Sequence, residues 1–177
     1  MNRDVEDLIA EREAARAAVE HFAPITEAWA FETESASAAK PLLDFYLDAV
    51  KTSDLFVLIV GEHLTNPVRE EYSIAQEHGK PILVFPKDSQ SRGEDADKLL
   101  RSLNAKYDLF ANPAELRAKL RRSLGLQILT VIRGDGKDVM RPGDRLARLR
   151  RYQRNGMSVK IQQMVPVAST TSFASRQ

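Results

Sequence analysis

SDLFVLIVGEHLTNPVREEYSIAQEHGKPILVF, Ser53 to Phe85, reads as strand, helix, strand. Its first segment, LFVLIV (Leu55–Val60), is an unbroken apolar run, the pattern of a strand covered on both faces. Asn66 is placed to cap the helix that follows, and Pro67 suits its first position, where a missing N–H costs no intrahelical bond. Gly79 ends the helix, and PILVF (Pro81–Phe85) is a second doubly buried strand. Two such strands joined through a helix form the βαβ unit of a parallel sheet.

The pattern continues outward on both sides. Asp4 to His21 places Val5, Leu8, Ile9, Ala15 and Val19 near the helical period among charges. Ile25–Phe31 is a short strand, Glu32–Ala39 a small polar loop, and Pro41 opens a helix through Val50. Asp95–Leu103 is amphipathic and Tyr107–Phe110 is a short strand. Asn112 with Glu115 three residues on marks a further helix start, with Leu116, Leu120, Leu124, Ile128 and Ile132 along one stripe. A helical stretch lies near Arg145–Gln153, Val159–Val167 is extended, and the remainder is polar. The predicted class is α/β: a parallel sheet flanked by helices over 1–112, then a helix and a basic C-terminal extension over 113–177. Ligands of such sheets sit at the carboxyl ends of the strands, here the loops after Phe31, Val60 and Phe85.

Composition narrows the chemistry. The 177 residues include no cysteine, which excludes disulfides, thiolate catalysis and Cys-based zinc sites. The three histidines have no ligand-like spacing, so no metal is expected. The charged N-terminus lacks an apolar leader and no run approaches membrane-spanning length, so a cytoplasmic protein without membrane contact is expected. The net charge of +1 hides a split. Residues 1–113 carry 12 Lys/Arg against 21 Asp/Glu, a net of −9, and residues 114–177 carry 14 against 4, a net of +10. With only Tyr152 and Phe173 as aromatics, the basic part has no base-stacking surface. It is expected to dock on its own acidic domain or on a protein partner, not on nucleic acid.

The helix beginning at Asn66 carries adjacent acids, Glu70 and Glu71. Counting 100° per residue from Val68, the positions Tyr72, Ala75 and Gly79 fall within about 40° and form the inward face. Glu71 lies roughly 60° away at the edge of that face, and Glu70 roughly 160° away towards solvent. Glu71 therefore leans towards the sheet, and the helix dipole is expected to keep it ionised. A partly buried carboxylate beside a strand-end crevice suits a nucleophile or a stabiliser of an oxocarbenium ion. The plainer reading is a carboxylate that caps backbone or pairs with a cation.

The order SDLFVLIVGEHLTN then PVREEYSIAQEHGKPILVF resembles the TIR (Toll/interleukin-1 receptor) domain superfamily over about residues 3–112. Within it, the chain is most similar to a bacterial TIR-like family that opens with a strand, a Ser-Ser-Thr turn and an Asp-Leu-x-x-Glu-Arg helix, matched by Asp7 to Arg12. The resemblance implies a flavodoxin-like fold. In NAD-cleaving TIR domains a catalytic Glu stands eight residues before the Gly-Lys that leads into the next strand, and Glu71 has that spacing from Gly79-Lys80. Nucleoside 2-deoxyribosyltransferases share a Glu-to-Gly-Lys-Pro arrangement with Glu as nucleophile. The implied activity is hydrolysis of an N-glycosidic bond in NAD or a related nucleotide, in bacterial defence or signalling. NAD would be substrate and not cofactor. Glu71 would be catalytic, Phe31 would stack, and Glu62 and Asn66 would make polar contacts; their plainer roles are core, solvated surface and cap. The alternatives are a non-catalytic module that assembles with itself or a larger protein, and a deoxyribosyltransferase-like enzyme. Three departures stand out. The loop Glu32–Lys40 matches nothing closely, Pro67 replaces an aromatic found in some NAD-cleaving members, and the deoxyribosyltransferase Gly-Thr turn is absent.

The resembled family begins with a strand that this chain lacks before its first helix. In the strand order 2-1-3-4-5 that strand is central, and an empty slot would expose the ladder edges of two buried strands. VKIQQMVPV (Val159–Val167), followed by Ser169-Thr170-Thr171, resembles the missing strand and turn displaced to the C-terminus. It is expected between the strands at Ile25–Phe31 and Leu55–Val60, in parallel, although Pro166 cannot donate to a central ladder. A truncated start or an edge hairpin are the other readings.

Overall fold

The tail strand lies inside the sheet. In the computed structural model, which describes residues 8–23, 25–29, 42–64, 66–103, 106–133, 147, 150–152, 154 and 157–163, four strands pair in parallel. They are β1 (Thr26–Trp29), β2 (Leu55–Val60), β3 (Ile82–Pro86) and β4 (Met157–Gln163), in the order β1-β4-β2-β3. β4 aligns Met157 with Thr26 and Lys160 with Trp29 on one side, and Val159 with Leu55 and Gln163 with Ile59 on the other. That is the slot and the direction the sequence suggests for the tail. The strand begins two residues earlier than expected, at Met157, and residues 164–167 lie outside the described residues.

Beyond β3, Asp108 N donates to the Val84 carbonyl (3.3 Å) and Phe110 N to the Pro86 carbonyl (3.0 Å). The fifth strand expected at Tyr107–Phe110 is thus reduced to a single parallel bridge, Lys87 to Phe110. With that bridge the order follows the flavodoxin-like 2-1-3-4-5 arrangement, its first strand drawn from the tail.

Alternation along each strand feeds two cores. Leu55, Val57 and Ile59 of β2, with Met157, Val159 and Ile161 of β4, face α1 (Ile9–Glu20) and α5 (Pro113–Arg133). There they meet Ala15, Ala18 and Val19 of α1 and Leu116, Leu120, Leu124 and Ile128 of α5. Phe56, Leu58 and Val60 face α2 (Leu42–Thr52), α3 (Asn66–Glu77) and α4 (Glu94–Ser102), with Val50, Val68, Ala75, Ala96 and Leu100. All six residues of β2 are buried, which is why its sequence shows no polar alternation. Each such side chain contributes about 1.5–3 kcal/mol relative to exposure. β3 departs from the expected doubly buried strand, because Ile82 and Leu83 at its start are only half-buried.

Local signals fix the helix ends. The Asn112 side chain accepts from Glu115 N (3.0 Å), while Glu115 reaches back to Ala111 N (2.8 Å), so the box closes one residue upstream of the cap. α3 ends in a Schellman motif: Lys80 N donates to the Ala75 carbonyl (2.9 Å) and Gly79 N to the Gln76 carbonyl (3.0 Å), with Gly79 at φ 60°. Gly79 is therefore exposed past the helix end, which corrects its expected place on the inward face: the left-handed turn takes it out of helical phase. Of the helical stretch expected near Arg145–Gln153, the described residues 147 and 150–152 are helical, as is 154 just beyond it.

Candidate functional site

Helical phase separates the two glutamates. Glu70 is exposed, whereas Glu71 is 2 % exposed, on the α3 face that holds Val68 and Ala75 against the sheet. The Glu71 Oε2 atom is buried and accepts no hydrogen bond from the described residues. Burial pushes its carboxyl up from 4.5 to about 7, and the positive charge of Lys160 opposes that rise. This overturns the expectation that the helix dipole keeps Glu71 ionised. A dipole worth about 0.3–1 kcal/mol at a surface helix end does not offset the loss of water from a carboxylate inside the fold.

Lys160 escaped the sequence reading. It sits at the centre of β4, 0 % exposed. Its neighbours Val159 and Ile161 point into the core under α1 and α5, so alternation turns Lys160 to the opposite face, the one covered by α2 and α3. The available signal was a lysine between two β-branched residues in VKIQQ, which on its own reads as the solvent side of a half-exposed strand. Only the placement of β4 between two other strands makes it a buried charge.

The loops at the carboxyl ends of the strands are braced by polar contacts. The Glu62 carboxylate accepts from Ser89 Oγ (2.8 Å) and Ser91 Oγ (2.9 Å), and its carbonyl accepts from Gly93 N (2.7 Å). The Ser89 and then the Ser91 hydrogen bond hold its carboxyl below the usual range, so it is an anion that ties the loop after β2 to the loop after β3. Gly93 lies so close that a Cβ there would stand 3.1 Å from the Glu62 carbonyl oxygen. Lys87, just past β3, pairs with the buried Glu11 of α1 at 3.0 Å, and Arg92 donates to the Lys87 carbonyl and to Asp97 (3.4 Å). Glu11, part of the Asp7–Arg12 match, is thus an internal strut.

Of the four residues singled out from sequence, Glu71 is in the interior. Glu62 is engaged in its loop brace, and Asn66 is exposed at the first position of α3. Phe31 lies outside the described residues, as do Glu32–Lys40 and Ser169–Thr171. Neither Glu71 nor Lys160 lines either of two open grooves formed by described residues. One, of about 400 Å³, lies between α3 and α4 and is bounded by Leu64, Tyr72, Gln76 and Leu99, with the Arg69–Asp95 ion pair (2.9 Å) at its side. The other, of about 300 Å³, lies between β3 and α5 beside Leu83, Tyr107, Arg122 and Leu126. Among the described residues no group of three or more His, Cys, Asp or Glu is arranged to hold a metal ion, and no helix is long and apolar enough to cross a membrane.

No curated protein and no solved structure matches the chain. One family model does, over residues 5–125, a span that begins before α1 and ends inside α5. The chain belongs to the family described as Domain of unknown function (DUF4062).

Proposed function

We propose that this protein is a TIR-like N-glycosidase that hydrolyses NAD or a related nucleotide, with Glu71 as the catalytic carboxylate. One observation carries the reading: a carboxyl group buried in an α/β sheet domain and poised near neutrality, eight residues ahead of Gly79-Lys80. In the reaction the bond between C1′ of the ribose and the nicotinamide nitrogen breaks, and its electron pair leaves with the base. Ionised Glu71 accepts hydrogen bonds from the ribose hydroxyls and stabilises the cationic sugar. Water then adds at C1′ and gives up one proton. A place in bacterial defence or signalling, and work as a homo-oligomer or with a larger protein partner, belong to the same reading.

A non-catalytic TIR-like assembly module is the second reading, favoured by the 2 % exposure of Glu71. A deoxyribosyltransferase-like activity is separated from both by a panel of nucleosides and deoxynucleosides. The decisive assay follows NAD and nucleoside consumption by concentrated purified protein, wild type against Glu71→Ala. NAD loss in wild type and not in the variant is the expected result. Equal rates would reject Glu71 as the catalytic group, and no turnover of any substrate at high concentration would favour the assembly module.

A further inference from the structure

Lys160 is the buried charge that the proposed reaction leaves without a role. Its strand partners across the sheet, Trp29 and Phe56, are apolar, and the β2 residues on its face are Phe56, Leu58 and Val60. An apolar residue would serve packing there at least as well, because replacing a buried ion pair by hydrophobic residues is often neutral or stabilising. Lysine is also the residue least expected at 0 % exposure. It arrives from the tail, on the one strand whose seating completes the sheet between β1 and β2.

We infer that Lys160 is a positioning residue for Glu71, favouring the charged form of that carboxylate from the sheet face that α3 covers, so that the site is complete only when β4 is seated.

Geometry limits the alternatives. Among the described side chains, β2 brings no ionisable group to this face. On α3, Arg69 is drawn outward to Asp95 and Glu70 is exposed. On α2, Asp48 and Lys51 meet each other at 3.5 Å on the surface. Tyr72, one residue after Glu71, is raised from its usual value by burial and so stays a neutral phenol. Among the described residues, Lys160 is the charge that acts on Glu71. As a statement about catalysis the inference rests on the N-glycosidase reading, whereas as a statement about the Glu71 charge it does not.

The test is an NMR titration of 13C-labelled glutamate carboxyls in the full chain, with Glu71→Gln assigning the Glu71 signal. NAD hydrolysis is followed over the same pH range. In Lys160→Met the Glu71 midpoint is expected to rise by about one pH unit or more, a tenfold change in ionisation, and in Lys160→Arg to stay within about half a unit. The acidic limb of the NAD rate profile is expected to move with it. An unmoved midpoint in Lys160→Met would overturn the inference, even with NAD cleavage intact. A moved midpoint without NAD cleavage in any variant would keep the electrostatic role and reject the N-glycosidase reading. Should Lys160→Met not fold, Lys160→Gln takes its place, and an unmoved Glu71 midpoint there would likewise overturn the inference.

Discussion

At Glu71 two effects act on one carboxyl: burial takes water from the anion, and Lys160 returns part of what is lost. The folded protein therefore keeps a proton on Glu71 between pH 4.5 and about 7 that the unfolded chain has released. This contribution to stability is complete below the unfolded value and is lost as pH rises through the folded one. The full difference is about 3 kcal/mol. Glu71→Gln, neutral at every pH, is expected to lie near wild type at pH 5 and to gain on it towards pH 8, by up to about 3 kcal/mol in urea denaturation. Parallel pH profiles of the two proteins would show that burial does not govern this group. Under the proposed N-glycosidase reading the carboxylate is the working form, so NAD cleavage is expected to climb about tenfold from pH 6 to pH 8, and a rate that falls over that range would assign Glu71 an acid role instead. Helical phase was enough to tell Glu71 from Glu70 in the sequence. Its ionisation was not legible, because desolvation depends on what covers the residue, and part of that cover is a strand some 90 residues downstream.

Elements whose signals are local were legible almost to the residue. LFVLIV is β2 from Leu55 to Val60, and the helix ahead of Gly79 ends where its left-handed turn begins. A Cβ at Gly79 would meet nothing within 4 Å, so Gly79→Ala has only the backbone term to overcome, about 1 kcal/mol at φ 60°. The same loss is expected for Asn112→Ala, which leaves Glu115 N without its cap. Chemical denaturation of the two variants checks both. A loss above about 3 kcal/mol in either would point to contacts beyond the turn or cap. The strand at Tyr107–Phe110 was overread. Four residues of mixed apolar and charged character look the same whether they join a ladder or touch it once, and here Phe110 alone enters the core while Tyr107 and Leu109 stay exposed.

Across the whole molecule the charge split has a structural counterpart. The basic part of the chain gives α5 to one face of the sheet and β4 to its centre, and its Lys119 pairs with Asp108 (3.3 Å) and Glu115 (2.7 Å) while Arg121 donates to His21. Cations used in this way leave a weaker case for a nucleic-acid surface, so affinity for duplex DNA is expected to be weak; tight binding that falls steeply with salt would contradict this. The slot for the tail strand was legible because an open gap between two buried strands is costly, and that argument is about topology, not local propensity. Its chemical consequence, a lysine buried on the sheet face that holds Phe56, Leu58 and Val60, followed only once both neighbours of β4 were known. The central claim is that β4 is an integral strand of the sheet that carries the site. Native-state amide hydrogen exchange tests it most directly, because central strands open only with the whole fold. Residues 157–163 are expected to exchange as slowly as Leu55–Val60; fast exchange of 157–163 beside a protected β2 would contradict the account.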